Sequence, residues 1–277
     1  MRGGIVVGTG RRLARACGAA AVGGTLLLAG CSAGHDGAGG KTGGATSPTA
    51  SGAPTPDGKP TPTALDFTPD PGRVPKNAAE ARRLALEIVA EPEAWGPDYV
   101  KRSPYLSEPD AWPVLDTDCA WETGALPSSV LASVTAHSEI PAAGGKGALR
   151  VAAVVTVHRT ESDADWEMAE TLEEALRCPN QQLRQGERIV DLGSIGLPYG
   201  TGGNAHASDS LSERGFYLDD TVKGRQGYSW FQVRIGQVTI ATAVKGAPGR
   251  TEDLVTVQTQ AQVTMEERVK TRMGATS

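Results

Sequence analysis

The sequence is short of the residues from which metal sites and disulfide frameworks are built. Its 277 residues include four cysteines and four histidines, and the aromatic residues are limited to five Trp, five Tyr and three Phe. No His-x-His or His-Glu-x-x-His pattern occurs, so we predict neither a metal ion nor another cofactor. An excess of basic residues is also absent, since 27 Lys and Arg stand against 32 Asp and Glu. A nucleic-acid partner is therefore not expected.

The charges divide unevenly along the chain. The first 30 residues carry only four charged side chains, all arginines, so 23 basic and 32 acidic residues remain for the rest. An apolar run over residues 16–28 follows the last of these arginines, and small residues precede Cys31. A basic start, a short apolar run and small residues before a cleavage point are typical of a secretory signal. We place this signal at residues 1–30.

The end of the signal, Leu28-Ala29-Gly30-Cys31, resembles the lipobox of bacterial lipoproteins. In that family the cysteine thiol is modified with diacylglycerol and the signal is cut before it, so the resemblance implies that Cys31 is lipidated. Two or three acyl chains hold a protein on a membrane far longer than one chain does. We therefore expect a lipid anchor on the outer face of the cell membrane. Arg11-Arg12 resembles a twin-arginine export signal, but the basic start of an ordinary Sec signal explains the pair equally well.

A tether separates the signal from the rest of the chain. Residues 31–70 are rich in Gly, Ser, Thr, Ala and Pro and have almost no large apolar side chain to bury, so we predict that they are disordered. Residues 71–277 carry nearly all of the aromatic side chains. We predict that they form a single globular domain, which at this length buries roughly 70% of its unfolded surface.

Capping residues and helical periodicity predict three helices in this domain. Asn77 followed by Glu80 marks the start of the first, which ends before Pro92. The second begins near Ser162 and carries apolar residues at helical spacing, namely Trp166, Ala169, Leu172 and Leu176. The last segment fits a strand as well as a helix, but an N-cap at Thr251 followed by the acidic first-turn residues Glu252 and Asp253 favours a helix.

Alternation of apolar and polar residues predicts strands over residues 149–158 and 186–193. Between the first helix and these strands, residues 93–113 are rich in proline and aromatic residues. We predict that this stretch is irregular and packs on the core through its aromatic side chains. Such a segment could also offer rigid aromatic faces to a ligand.

The strongest local pattern is a hairpin over residues 228–244, with Gly236-Gln237 as its two-residue turn. Pairing Ile235 with Val238 makes one face apolar, while the opposite face carries Tyr228, Trp230, Gln232 and Arg234 beside Thr239, Ala241 and Ala243. A mixed aromatic and polar face either packs a helix or lines a groove. Tyr228, Trp230 and Arg234 are our candidates for the lining of a ligand groove.

Two cysteines remain once Cys31 and Cys17, which lies within the signal, are set aside. In an exported protein, Cys119 and Cys178 are most simply explained as a structural disulfide. A redox pair would usually be Cys-x-x-Cys, and a metal site would need histidine neighbours. We therefore predict the disulfide, which closes a loop of about 60 residues.

No catalytic residue is predicted. Ser, His and Asp all occur, but nothing resembles Gly-x-Ser-x-Gly, and a loose trio is expected by chance in a domain of this size. The acidic pairs Glu173-Glu174 and Asp219-Asp220 are typical of solvated surface acids.

The order of these features resembles the extracellular sensor domain of PknH-type kinases, a module also found in actinobacterial surface lipoproteins. The residues that carry the resemblance are Asp118-Cys119-Ala120-Trp121, the strand from Val151 to Val157, and the helix from Trp166 to Cys178, and the likeness spans about residues 75–273. It implies a helix-flanked antiparallel sheet with a cleft for an unidentified ligand. That family typically has two disulfides, whereas this domain has cysteines for one.

The sequence therefore predicts an α+β fold, with a helix-flanked antiparallel sheet in one domain behind a tether. We expect a membrane-anchored extracytoplasmic protein that binds an envelope ligand or a protein partner and has no catalytic activity. One alternative is a non-catalytic envelope scaffolding protein without a ligand cleft. The other is a cell-surface hydrolase that carries no recognised motif.

Overall fold

A computed structural model describes residues 63–275 of the chain. The predicted signal, Cys31 and most of the tether lie outside the described residues. The helices are α1 (Ala78–Ile88), α2 (Glu161–Arg177), α3 (Leu254–Met273) and a short 3₁₀ helix (Pro92–Ala94). Among the described residues, no helix combines the length and the apolar character needed to cross a bilayer.

Eight strands form one curled antiparallel sheet, and two more form a separate hairpin. The strands are β1 (Val100–Leu106), β2 (Ala111–Leu115), β3 (Trp121–Ala125), β4 (Val130–Ile140), β5 (Leu149–His158), β6 (Gln181–Arg184), β7 (Glu187–Pro198), β8 (Asp209–Asp219), β9 (Gln226–Ile235) and β10 (Val238–Lys245). The order in the large sheet is β1-β4-β5-β10-β9-β8-β7-β6, and β2 pairs with β3. The α+β fold in a single domain is thereby confirmed.

The predicted hairpin is present with the predicted register. Strands β9 and β10 pair Ile235 with Val238, Val233 with Ile240 and Phe231 with Thr242. Gly236 has a φ of 58°, a left-handed conformation that glycine adopts without steric cost. Strand β5, also predicted with its observed bounds, pairs with β10 on the side opposite β9.

One face of the sheet carries the main hydrophobic core, which α1 and α3 cover. Alternate residues of β5 and β10 point to this face, among them Val155 and Ile240, both essentially inaccessible to solvent. Helix α1 contacts β4 and β5, and α3 contacts β9 and β10. Met265 of α3 is fully buried in the same cluster. Burial of this apolar surface is the main force that holds the two helices on the sheet.

Helix α2 packs on the opposite face, where it contacts β5, β7, β8, β9 and β10. Because successive residues of a strand point to opposite faces, this side receives the polar residues of the central strands, such as Gln232 and Thr239. The face is therefore covered by a helix only in part, and the remainder borders the β2–β3 hairpin.

The predicted cap is confirmed at the first helix. The Asn77 side chain accepts a hydrogen bond from the backbone N–H of Glu80 at 3.0 Å, whereas α3 is capped by Asp253, two residues after the predicted Thr251. Helix α2 begins earlier than predicted, because Thr160 and Asp163 form a complete capping box there. The ambiguous last segment is a helix, as its capping and acidic residues indicated.

Two predictions are wrong, one about secondary structure and one about packing. Residues 93–113 are not irregular, since they contain β1 and the start of β2, although Trp95, Tyr99 and Tyr105 pack on the core as predicted. Proline is tolerated there because β1 is an edge strand and β2 belongs to a two-stranded hairpin. The apolar stripe predicted for α2 does not face the sheet either, since Trp166 is 67% exposed and Leu176 is 70% exposed. The buried face of α2 consists of Ala164, Met168 and Ala175.

Part of the stretch that we predicted to be tether is packed on the domain. Leu65 and Phe67 pack against the main core. Pro69 forms a bridge with Gly274, and the backbone N–H of Asp70 donates to the carbonyl of Met273 at 2.7 Å. Packed structure therefore starts before the boundary at residue 71.

Candidate functional site

A cavity of about 510 Å³ lies between α2, the polar face of the sheet and the β2–β3 hairpin. Its floor consists of small side chains from β4 and β5, namely Ser133, Thr135, Ala152, Val154 and Thr156. These residues alternate with the core residues of the same strands, so the cavity and the apolar core are separated by one layer of backbone. A volume of this size falls in the range of small-molecule sites.

Four aromatic side chains line the cavity. Tyr228 and Trp230 come from β9, where the strand alternation turns them away from the apolar core, and Trp112 and Trp121 come from the β2–β3 hairpin. The indole N–H of Trp121 donates to the Gln181 side chain at 2.9 Å, which fixes this ring at the cavity wall. Aromatic side chains with a polar edge are well suited to ligand contact because they offer both a flat apolar face and a hydrogen-bonding group.

Arg234, the third candidate for the groove, does not line the cavity. Its guanidinium donates from Nε to Asp209 on the neighbouring strand at 2.8 Å and lies 3.7 Å from Asp165 of α2. The structure therefore brings Tyr228 and Trp230 together and places Arg234 in an ion pair that joins β8, β9 and α2.

Glutamates dominate the charge of the cavity. Five of them line it, and no Lys or Arg is among its lining residues; they are Glu122, Glu167, Glu170, Glu174 and Glu213. Three of the five stand at helical spacing on α2, so one side of that helix presents carboxylates to the cavity. Sequence reasoning treated Glu174 as a solvated acid, but only its neighbour Glu173 is exposed, where it pairs with Arg177.

Glu167 is held by a buried polar network. Thr239 donates to its carboxylate at 2.6 Å, Gln232 donates to the other oxygen at 3.1 Å, and Nε2 of His158 lies 2.6 Å away. All three partners are buried on the sheet. This network holds α2 against the polar face of the sheet. Both oxygens of the Glu167 carboxylate are occupied by these partners, so this group serves the fold.

Glu213 differs from Glu167 because part of its carboxylate has no partner. The residue is 6% exposed, and its Oε1 atom makes no hydrogen bond within the described part of the chain. Burial raises the pKa of Glu213 to about 7; the hydroxyl of Ser194, which is paired with it across β7–β8, opposes the rise, and the Glu174 carboxylate adds to it. The carboxylate is therefore incompletely hydrogen-bonded at the cavity wall, where a ligand donor would stabilise the protein.

The pKa values of the other lining groups are also displaced by burial. Burial raises the pKa of Glu174 to about 7, and the neighbouring Glu170 carboxylate adds to the rise. Burial lowers the pKa of His137 to about 4, and the positive charges of Arg102 and Lys245 lower it further. His137 is therefore neutral at pH 7, and the two glutamates are partly protonated.

The predicted disulfide between Cys119 and Cys178 is confirmed. It joins the residues just before β3 to the C-terminus of α2, and these elements form two walls of the cavity. Arg177 adds a hydrogen bond to the carbonyl of Asp116 at 2.9 Å, and the backbone N–H of Gln182 donates to the carbonyl of Cys119 at 2.8 Å. The hairpin is thus attached to the domain covalently and through backbone contacts.

The three histidines within residues 63–275 have different surroundings. His158 belongs to the Glu167 network, His137 lies on the cavity wall, and His206 lies 3.6 Å from Glu266 of α3. In residues 63–275 no three His, Cys, Asp or Glu side chains come together as a metal site requires.

Comparison of this chain with protein-family models, with curated proteins and with solved structures finds no match. The fold and the cavity are therefore the basis of the functional argument.

Proposed function

We propose that this chain is a lipid-anchored extracytoplasmic protein whose domain binds a small envelope molecule in the cavity between α2 and the β2–β3 hairpin, without catalysis. The observation that carries the proposal is a cavity of about 510 Å³ lined by aromatic side chains and by a buried carboxylate with an oxygen that makes no hydrogen bond of normal geometry among the described residues. A largely preformed pocket with a few convergent polar groups is the usual form of a ligand site. The resemblance to the PknH-type sensor domain, which has a cleft, agrees with this proposal.

The proposed site of action is supported by the lipobox and by the disulfide. Disulfides persist in oxidising compartments outside the cytoplasm, so the Cys119–Cys178 bond supports export. We propose that the signal directs the chain to the outer face of the membrane and that Cys31 carries the lipid.

The anchoring is tested with two cysteine variants expressed in a bacterium that lipidates exported proteins. We expect Cys31→Ala to move the protein from the membrane fraction to the soluble fraction. Cys17→Ala, a change within the predicted signal, should leave it in the membrane fraction. Equal distribution of both variants would show that Cys31 is not the anchor.

Ligand binding is tested with the mature chain carrying Cys31→Ser, so that it stays unacylated. The protein is incubated with a small-molecule extract of the envelope and washed, and the retained molecules are identified by mass spectrometry. Trp230→Ala should abolish retention, whereas Trp166→Ala, which removes an exposed tryptophan on the outside of α2, should not. Equal retention by both variants, or no retention by the parent, would refute the cavity as a ligand site.

A second candidate, a glycoside hydrolase, is favoured by the two carboxyl groups with raised pKa values in an aromatic cavity. Such enzymes need one protonated and one ionised carboxyl group, so their active sites give the two groups different pKa values. Here burial raises the pKa of both Glu174 and Glu213 to about 7, which does not separate an acid from a nucleophile. Release of nitrophenol from aryl glycosides by the parent, abolished in Glu213→Gln, would support this candidate over the binding function.

A further inference from the structure

The walls of the cavity are charged with one sign. The hairpin contributes Glu122, α2 contributes Glu167, Glu170 and Glu174, and β8 contributes Glu213, while β4 and β9 contribute the neutral His137 and Tyr228. The cations that influence the lining groups are not lining residues themselves: Arg102 and Lys245 lower the pKa of His137, and Arg177 lowers that of Glu174. The surface that a ligand meets is therefore acidic.

The aromatic side chains provide a second reason to expect a positively charged ligand. The face of an indole or phenol ring carries negative electrostatic potential and attracts ammonium groups, most strongly for tryptophan. Trp112, Trp121, Tyr228 and Trp230 all line the same space as the glutamates. An organic cation satisfies the rings and the carboxylates together, whereas a neutral ligand uses only the apolar area of the rings.

The unpaired oxygen of Glu213 provides the third and most specific observation. It is buried and makes no hydrogen bond of normal geometry among the described residues, although the Ser194 hydroxyl lies on the paired strand β7 and lowers the pKa of this carboxyl. Its strand neighbour across the β8–β9 pairing is Trp230. A carboxylate beside an aromatic ring is a suitable partner for an ammonium group, because the N–H or N–CH₃ groups contact both.

From these three observations we infer that the ligand carries an organic ammonium group, which binds between the carboxylates of Glu213 and Glu174 and the ring of Trp230. This inference rests on the proposed binding function and names the chemical class of the ligand. Among residues 63–275 no set of side chains is spaced to hold a metal ion, so Ca²⁺ serves as the control cation.

The protonation of the two glutamates makes binding dependent on pH. Without ligand, their pKa values of about 7 leave them partly neutral at physiological pH. A cation binds the ionised form, so affinity rises as the pH increases from 6 to 8 and protons are released on binding. If one carboxyl group must ionise, the fraction in the competent form changes by about tenfold over this range.

The experiment uses isothermal titration calorimetry of the mature chain with Cys31→Ser against choline, putrescine and spermidine. The neutral analogue of choline, 3,3-dimethylbutan-1-ol, tests charge at constant shape. We expect at least one amine to bind about tenfold or more tightly than the neutral alcohol. Its affinity should rise from pH 6 to pH 8, with proton release detected in buffers of different ionisation enthalpy. Ca²⁺ should not compete.

Matched variants assign the binding to the cavity. Glu213→Gln keeps the shape of the side chain and should weaken amine binding by about tenfold or more. Glu173→Gln changes an exposed glutamate beside Glu174, outside the cavity, and should leave the affinity unchanged. Amine binding that is equal in both variants would overturn the inference.

The outcomes separate this inference from the function on which it rests. If none of the three amines binds but an envelope molecule is retained in a Trp230-dependent manner, the cation inference is wrong and the binding function stands. If a neutral sugar from the extract is the retained molecule, the inference is likewise overturned. If nothing is retained and no amine binds, both proposals fail.

Discussion

Two neighbouring alanines on β5 allow a test of whether there is open space on the cavity side of the strand and tight packing on the core side. Ala152 lies on the cavity floor, whereas Ala153 points to the opposite face, where it is 0% exposed within the main core. We consider Ala152→Phe and Ala153→Phe, which add the same side chain at adjacent positions of one strand.

The expected magnitudes follow from the space at each position. A cavity of about 150 Å³ already holds a benzene molecule, and the present cavity of about 510 Å³ is more than three times larger. A phenylalanine at position 152 therefore fits without overpacking and should change the free energy of unfolding by less than about 1 kcal/mol. The same side chain at position 153 has no space, because Ala153 packs against a dense core. It should destabilise the domain by about 1–3 kcal/mol or more.

The assay is urea denaturation of both variants, followed by circular dichroism, together with the ligand-retention experiment. Ala152→Phe should keep its unfolding midpoint and lose ligand retention, since the ring occupies the cavity. A loss of stability at position 152 as large as that at position 153 would show that the cavity is filled in solution. Unchanged retention in a stable Ala152→Phe variant would show that the ligand binds elsewhere.

Three further predictions concern the groups around the cavity. Glu167→Ala removes the acceptor for three buried donors and should cost about 3–5 kcal/mol, whereas Glu170→Ala on the same helix should cost less than about 1 kcal/mol, both measured by urea denaturation. Joint replacement of Cys119 and Cys178 by alanine removes a cross-link over a sequence separation of 59 and should lower the free energy of unfolding by about 4 kcal/mol, with reduction of the parent by dithiothreitol giving a similar loss. Because the pKa of Glu213 is higher in the folded protein, its contribution to stability is complete below pH 4.5 and is lost as the pH rises through about 7. Glu213→Gln should accordingly reduce the decline in stability between pH 5 and pH 8 by about 1–3 kcal/mol, and an unchanged pH profile would show that the carboxyl group is not perturbed.

Features that depend on neighbouring residues were predictable from the sequence. The register of β9 with β10 follows from Gly236 in the turn, the start of α1 follows from the cap at Asn77, and the helical state of α3 follows from the capping and acidic residues 251–253, although the cap itself is Asp253. The disulfide was predictable because only two cysteines remained in the exported domain. Each of these features is decided by a local interaction or by simple counting.

Features that depend on distant pairing were not predictable in the same way. Strand β8 pairs with both β7 and β9, but its sequence from Asp209 to Asp219 contains several polar residues and a glycine, so no clear alternation of apolar and polar residues marks it as a strand. Strand β1 was missed because Pro104 argues against a strand unless the strand lies at an edge, and edge position is a property of the complete sheet.

The error about α2 and the failure to find most of the site have the same cause. Periodicity assigned the inward face of α2 to its apolar residues, on the assumption that a helix packs on a hydrophobic surface. The strands beneath α2 instead present Gln232, Thr239 and His158, so the helix turns Glu167 inward to accept their hydrogen bonds and leaves Trp166 exposed. That rotation also brings Glu170 and Glu174 to the cavity. The helical spacing of Glu167, Glu170 and Glu174 was the signal in the sequence that could have revealed this part of the site, because a polar face was already predicted for the β9–β10 hairpin. A helix that faces a polar sheet surface buries little apolar area. Helix α2 therefore covers the polar face of the sheet only in part, and the space that it leaves open is the candidate site.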